Sequence, residues 1–189
     1  MFSYLGVLIS IILGLAITHL VVGLSKLIQL RHTVKPYWVQ ILWTLNILIY
    51  VLGIWWTMFW WNRLPIWTVG LFFFIATYAI VLFLLATMLF PWEFSKDLDF
   101  RKYFLANRSW FFGTQLVAFL IDIPETILKQ TSHIRPVPRE YVVFIAVILA
   151  INVIGLTSRN ERVHAALAVG WFVAVTSYLS LTMLYRLIG

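Results

Sequence analysis

Apolar positions run along this chain in long blocks broken by short polar tips. That is the pattern of helices crossing a bilayer, in which about 20 consecutive apolar residues form one span. Six blocks can be laid out. The first runs from about Tyr4 to Leu30; its apolar part ends near Leu24, and Lys26, Arg31, His32 and Lys35 follow before Pro36 marks a turn. The second runs from about Tyr37 to Trp61 and ends in Trp55, Trp56, Trp60 and Trp61, with a hairpin tip at Asn62-Arg63-Leu64-Pro65. The third, from about Ile66 to Phe90, carries no charge.

The fourth block is the weakest. Its uninterrupted apolar part, Trp110 to Ile121, contains Gln115 and measures only about 18 Å at ~1.5 Å per residue, short of the ~30 Å hydrocarbon core. To span, it must recruit Tyr103–Arg108 before it or Asp122–Leu128 after it. The fifth block runs from about Tyr141 to Leu156 with Asn152 inside, and the sixth from about Val163 to Leu187. Between the third and fourth, residues 91–108 alternate charged Glu93, Lys96, Asp97, Asp99, Arg101 and Lys102 with Trp92, Phe94, Leu98, Phe100, Tyr103 and Phe104. This composition predicts an amphipathic helix in the headgroup plane, a solvated loop being the alternative.

Two of the blocks resemble each other. Val69-Gly70-Leu71-Phe72-Phe73-Phe74-Ile75-Ala76-Thr77-Tyr78 recurs one hundred positions later as Val169-Gly170-Trp171-Phe172-Val173-Ala174-Val175-Thr176-Ser177-Tyr178. The same offset aligns Val34-Lys35-Pro36 with Ile134-Arg135-Pro136, and Leu20 with Leu120. Self-similarity at a fixed offset signals duplication. Residues 1–90 then form a first three-helix repeat, 91–108 a linker and 109–189 a second repeat. Three helices per repeat is an odd number, so the copy inserts upside down, the inverted 3+3 arrangement common in transporters. Gly70 and Gly170 become close-packing points of an antiparallel pair formed by the third and sixth helices, with Tyr78 and Tyr178 as matching core residues.

Composition agrees with the blocks. Of 189 residues, 62% are hydrophobic, 17% aromatic and 11% charged, against ~25% charged in ordinary soluble domains. The expected fold class is all-α, a polytopic membrane protein of six transmembrane helices. The first block lacks a basic leader and a small-residue cleavage site and reads as a retained helix. Without cysteine there is no disulfide, thiolate metal site or thiol nucleophile. The net charge of +7 is scattered over short loops. It predicts contact with the lipid bilayer and no nucleic-acid partner; a second copy or another membrane protein is the expected protein partner. Lys26, Arg31, Lys35, Lys96, Arg101, Lys102, Arg108, Arg159 and Arg162 lie on one side, and Arg63, Lys129, Arg135, Arg139 and Arg186 on the other. The excess predicts that both termini face out of a cell membrane, expected to be a bacterial inner membrane.

Ionisable residues inside spans are expensive and are candidates for function. His19 is one, either as a proton acceptor or as a neutral packing group bonded to a neighbouring helix. Gly23, one turn on, would admit that neighbour closely. Asp122-Ile123-Pro124-Glu125 followed by Lys129 is the other. Either the fourth helix continues and Pro124 opens a polar notch, or it ends at Ile121 and Asp122 caps a new interfacial helix, with Glu125 completing a capping box and pairing with Lys129. The capping reading accounts for every residue without invoking function. Asn46, Asn152 and Gln115 are lone amides of the kind that glue helices. His19 and His164 lie toward one face, so a haem held by both is a third possibility to test. No nucleophile elbow, zincin motif or phosphate-cradling loop occurs, and no catalytic residue, metal or cofactor is expected. The functional expectation is a small transporter or channel for an ion or small solute, its path between the repeats near His19, Asp122 and Glu125. The rivals are a non-catalytic accessory or assembly subunit and a haem- or quinone-linked electron-transfer subunit.

Overall fold

The computed structural model describes residues 2–133, 137 and 139–188, and side chains within 3–181 of that set. Ile134-Arg135-Pro136, one arm of the repeat, and the Arg186 side chain lie outside the described residues. Among the described residues the chain forms six α-helices: α1 (Phe2–Gln29), α2 (Trp38–Met58), α3 (Val69–Thr87), α4 (Phe100–Thr131), α5 (Glu140–Thr157) and α6 (Glu161–Ile188). All six are long and apolar enough to cross a bilayer, as a multi-pass membrane protein requires.

Local chemistry sets the helix ends. Pro36 and the extended Tyr37 precede α2, which tightens into a 3-10 turn over Phe59–Arg63 beneath the tryptophan-rich tip. Thr68 caps α3 by accepting from the Leu71 amide at 3.2 Å. Asp99 caps α4, its carboxylate accepting from the Arg101 and Lys102 amides at 3.0 and 3.1 Å. The segment 91–108 therefore divides. Residues 91–99 form loop and turn, and Phe100 already opens α4, so this stretch holds no separate interfacial helix.

The larger correction is to the fourth span. α4 does not end at Ile121. It runs unbroken for 32 residues through Pro124, about 48 Å at ~1.5 Å per residue. It recruits polar turns on both sides of its apolar centre. Asp122 caps nothing, because its oxygens are taken by tyrosine hydroxyls from other helices. Pro124 lies on the exposed face, about 200° around the helix from Asp122 at ~100° per residue.

The helices close into a ring in the order α1-α3-α4-α5-α6-α2, and α2 leans inward to touch α3 and α4 as well. Trp43 of α2 fills the centre. Its ring meets Phe111 at 5.2 Å and Phe112 at 5.3 Å from α4, and Trp171 at 6.0 Å from α6. In lipid such edge-to-face contacts and close van der Waals fit hold helices together, since the surrounding tails are as apolar as the core. The α1–α2, α3–α4 and α5–α6 connections gather at one end. There the Lys35 amide donates to Leu98 O at 2.9 Å, Lys26 Nζ to Trp92 O at 3.0 Å and Arg108 Nε to Ser158 O at 3.1 Å, while Arg101 pairs with Glu161.

Among the described residues the expected packing of α3 against α6 is not found, since these helices are not neighbours in the ring. Gly70 and Gly170 face outward; a Cβ on Gly70 meets nothing within 4 Å, and one on Gly170 only Ile151 at 4.0 Å. Nor do the two halves pack alike. α1 and α3 share the most extensive interface, yet their counterparts α4 and α6 do not adjoin. The glycines that do admit a neighbour are Gly23, where a Cβ would strike the Phe90 ring, and Gly155, where it would strike Phe112.

We predict that Gly23→Ala and Gly155→Ala each lower the apparent melting temperature of the detergent-purified protein. The cost of overpacking is about 1–3 kcal/mol per site. Gly14→Ala should not lower it, because nothing lies within 4 Å of a Cβ there. Equal behaviour of all three would contradict the packing described.

Candidate functional site

Asp122, Glu125 and Lys129 recur at helical spacing on one face of α4, and all three are buried. Burial of this kind is tolerated only when each polar atom is matched. Asp122 is held by two hydroxyls: Tyr78 OH donates to Oδ1 at 2.9 Å from α3, and Tyr141 OH to Oδ2 at 2.8 Å from α5. A further hydroxyl, from Tyr50 on α2, lies 2.9 Å from that of Tyr78. A tyrosine has one proton, and Tyr78 has given its own to Asp122, so Tyr50 is the donor in this pair. A hydrogen-bond chain thus runs from Tyr50 through Tyr78 to Asp122. Its first hydroxyl is fixed by stacking, the Tyr50 ring lying on Phe119 at 4.7 Å and 18°.

Glu125 is served by a different set. Trp61, in the turn after α2, donates its indole N–H to Oε1 at 2.9 Å, and Lys129 Nζ forms an ion pair with the same oxygen one turn along α4. The Lys129 ammonium also stands 5.5 Å from the Trp61 ring centroid, a cation–π contact that steadies a charge among apolar side chains. Tyr78 is the midpoint of the charge-free α3, whereas Trp61 sits at the end of α2. The cluster therefore reaches from the end of the bundle where α2 meets α3 to the bundle's middle.

A cleft of about 90 Å³ adjoins it, bordered by Thr57, Asp122, Glu125, Thr126, Tyr141 and Tyr178. Helices α2, α4, α5 and α6 form its walls. Asp122 and Glu125 border this space, and within the cluster Glu125 is the carboxyl ion-paired with Lys129. With all three ionised the cluster carries one unit of uncompensated negative charge in a low-dielectric interior. A proton or one small cation cancels it.

The other expected residues fall elsewhere. His19 Nε2 donates to Phe90 O at 3.1 Å and its ring meets Trp92 edge-on at 4.8 Å, so it ties α1 to the chain leaving α3. It borders a separate cavity of about 350 Å³ with Lys26, Trp92 and Phe94 and does not line the Asp122 cleft. Asn46 joins α2 to α6, its amide donating to Ala168 O at 2.9 Å. Asn152 donates to Ile148 O in its own helix at 2.8 Å, so this bond joins no neighbour. His164 Nε2 donates to Ser158 O at 3.1 Å, its ring stacked on Phe112. The two histidines thus serve different carbonyls, and His164 does not line the cavity beside His19.

Residue spacing had marked Asp122, Glu125 and Lys129 but not Tyr50, Tyr141 or Trp61, and it had given Tyr78 only a core role. The usable signal was a tyrosine standing inside an apolar block, where its hydroxyl needs a buried acceptor. No protein-family model matches this chain, and neither a curated protein nor a solved structure is detectably similar to it.

We predict that Lys129→Met destabilises the protein strongly, by about 3–5 kcal/mol, because it leaves Glu125 buried without its cation. The double variant Glu125→Gln/Lys129→Met should recover most of that loss. Thermal unfolding in detergent measures both, and an equally unstable double variant would contradict the pairing.

Proposed function

We propose that the chain is a small multi-pass membrane protein that carries a proton or small cation through its bundle, with the Asp122–Glu125–Lys129 cluster as the binding station. One observation carries this reading. Two carboxyls are buried with a single ammonium, on a helix long enough to span, beside a cleft that also exposes hydroxyls. An apolar bundle gains no stability from burying such a group, since well-packed apolar residues of similar size do as well or better. Its retention is explained when its charge is used.

The cleft draws Thr57 from the first half of the chain and Asp122, Tyr141 and Tyr178 from the second. Tyr78, counterpart of Tyr178 in the repeat, reaches Asp122 from the far side. This supports a path between the halves, although only the residue match, and not the helix packing, supports an inverted duplication. The greater number of basic residues at the α1–α2, α3–α4 and α5–α6 end supports placing that end in the cytoplasm and both termini outside a cell membrane.

A second reading rests on another feature. A groove of about 970 Å³ runs between the start of α1 and the end of α2, lined by Gly6, Ser10, Trp55, Trp56 and Phe59 among others. It is wide enough for side chains of another membrane helix, as an accessory or assembly subunit needs. Recovery of a stoichiometric partner in mild detergent supports that reading. Neither reading makes the chain an enzyme.

The test is ion flux through purified protein in liposomes under an imposed potential, assayed in turn for H⁺, Na⁺ and K⁺. We predict measurable flux of one of these ions, reduced about tenfold or more by Asp122→Asn; a tenfold change needs only ~1.4 kcal/mol of added barrier. His19→Ala should leave flux per folded molecule unchanged. Absence of flux, or equal flux in Asp122→Asn, contradicts the proposal.

A further inference from the structure

A second polar layer lies deeper in the bundle, one that neither the cluster nor its cleft includes. Asn46 Oδ1, Gln115 Oε1 and Nε2, Asn152 Oδ1, Trp43 Nε1 and Trp171 Nε1 are all buried and have no hydrogen-bond partner within the protein. All five residues are 0% exposed. They come from four helices, and aromatic contacts place them at one level. Trp43 meets Phe111 at 5.2 Å and Tyr50 meets Phe119 at 4.7 Å. Gln115 stands midway between the two phenylalanines on α4, and Asn46 lies between Trp43 and Tyr50 on α2.

Trp171 is within 6.0 Å of Trp43 and 6.1 Å of Tyr50, ring to ring, so α6 enters at the same height. On α5, Gly155 faces Phe112 and the Phe144 ring lies 6.4 Å from that of Phe119. Asn152 falls between these contacts, level with Gln115. Three acceptor oxygens and three donor nitrogens thus lie at one level of the bundle, and none of them bonds to another. Buried polar groups left without a partner in the protein are the setting in which an internal water, with about three hydrogen bonds of its own, is bound.

We propose that Asn46, Gln115, Asn152, Trp43 and Trp171 form a binding site for internal water at the centre of the bundle. The donors and acceptors balance without any charge, so the site suits a neutral hydrogen-bonding molecule and not an ion. Water there continues the polar face of α4 inward from Asp122 through Gln115, toward the end of the bundle where His164 is stacked on Phe112. The site does not depend on whether the Asp122 cluster carries ions, and its test does not read transport.

The experiment is water-edited solid-state NMR on the full chain in lipid bilayers, with ¹⁵N-labelled tryptophan, glutamine and leucine. Indole signals are assigned by Trp43→Phe and Trp171→Phe. At short mixing times the Trp43 and Trp171 indole protons and the Gln115 amide should receive magnetisation from water, well above the backbone amide of buried Leu82. In Gln115→Leu, the two indole transfers should fall several-fold; should that variant not fold, Asn152→Leu is read the same way. Transfer no greater than that of Leu82 in the native protein overturns the proposal. So does transfer that the substitution leaves unchanged, since the water would then be held by other groups.

Discussion

A charged side chain on a helix that must cross hydrocarbon has to turn inward and find its match there. α4 lives under that constraint more than any other helix in this bundle. Its apolar centre is too short to span alone, so it extends through Asp122, Glu125 and Lys129, and these three take one face. The rest of the ring is arranged to receive that face. α3 supplies the Tyr78 hydroxyl, α5 the Tyr141 hydroxyl and the turn after α2 the Trp61 indole. Tyr50 then anchors Tyr78 from the helix that leans into the ring. Four separate elements are thereby fixed in register by a single polar seam.

The six long apolar helices were legible because hydrophobic blocks of the right length are hard to mistake. The end of α4 was not. Asp122-x-x-Glu125 is the spacing of a capping box, and Pro124 strengthens the impression of a break. Which oxygen a carboxylate meets depends on other helices, and that does not show in local sequence. The cap that forms, at Asp99, was hidden in a segment whose mixed charge and aromatics suggested an interfacial helix. Likewise the two glycines of the repeat were conspicuous by their matched surroundings, yet they face outward. Gly23 and Gly155, in unremarked surroundings, are the ones pressed against phenylalanine rings.

The candidate site divided in the same way. Spacing alone paired Glu125 with Lys129 one turn on, and the structure has that ion pair; it also sets Asp122 on the same face of an unbroken helix, where the capping pattern had made it a helix start. His19 was singled out by the same reasoning about buried ionisable groups, but its ring is committed to the Phe90 carbonyl at the opposite end of the bundle from Trp61. The difference is chemical. An imidazole can be neutral and satisfied by one carbonyl, so its burial requires no further partner. Two carboxyls beside one ammonium are never jointly neutral without an added positive charge, and that imbalance separates a site from a packing contact.

The proposed ion station depends on one exchangeable positive charge at Asp122 and Glu125. Infrared difference spectroscopy of the protein in liposomes, cycled in pH and then in monovalent cation at fixed pH, reads it directly. A protonated carboxyl band should appear and vanish with these cycles in the native protein and be missing in Asp122→Asn. Superimposable difference spectra for the native protein and Asp122→Asn would mean that the buried charge is permanently balanced, and the bundle would have no station for an ion.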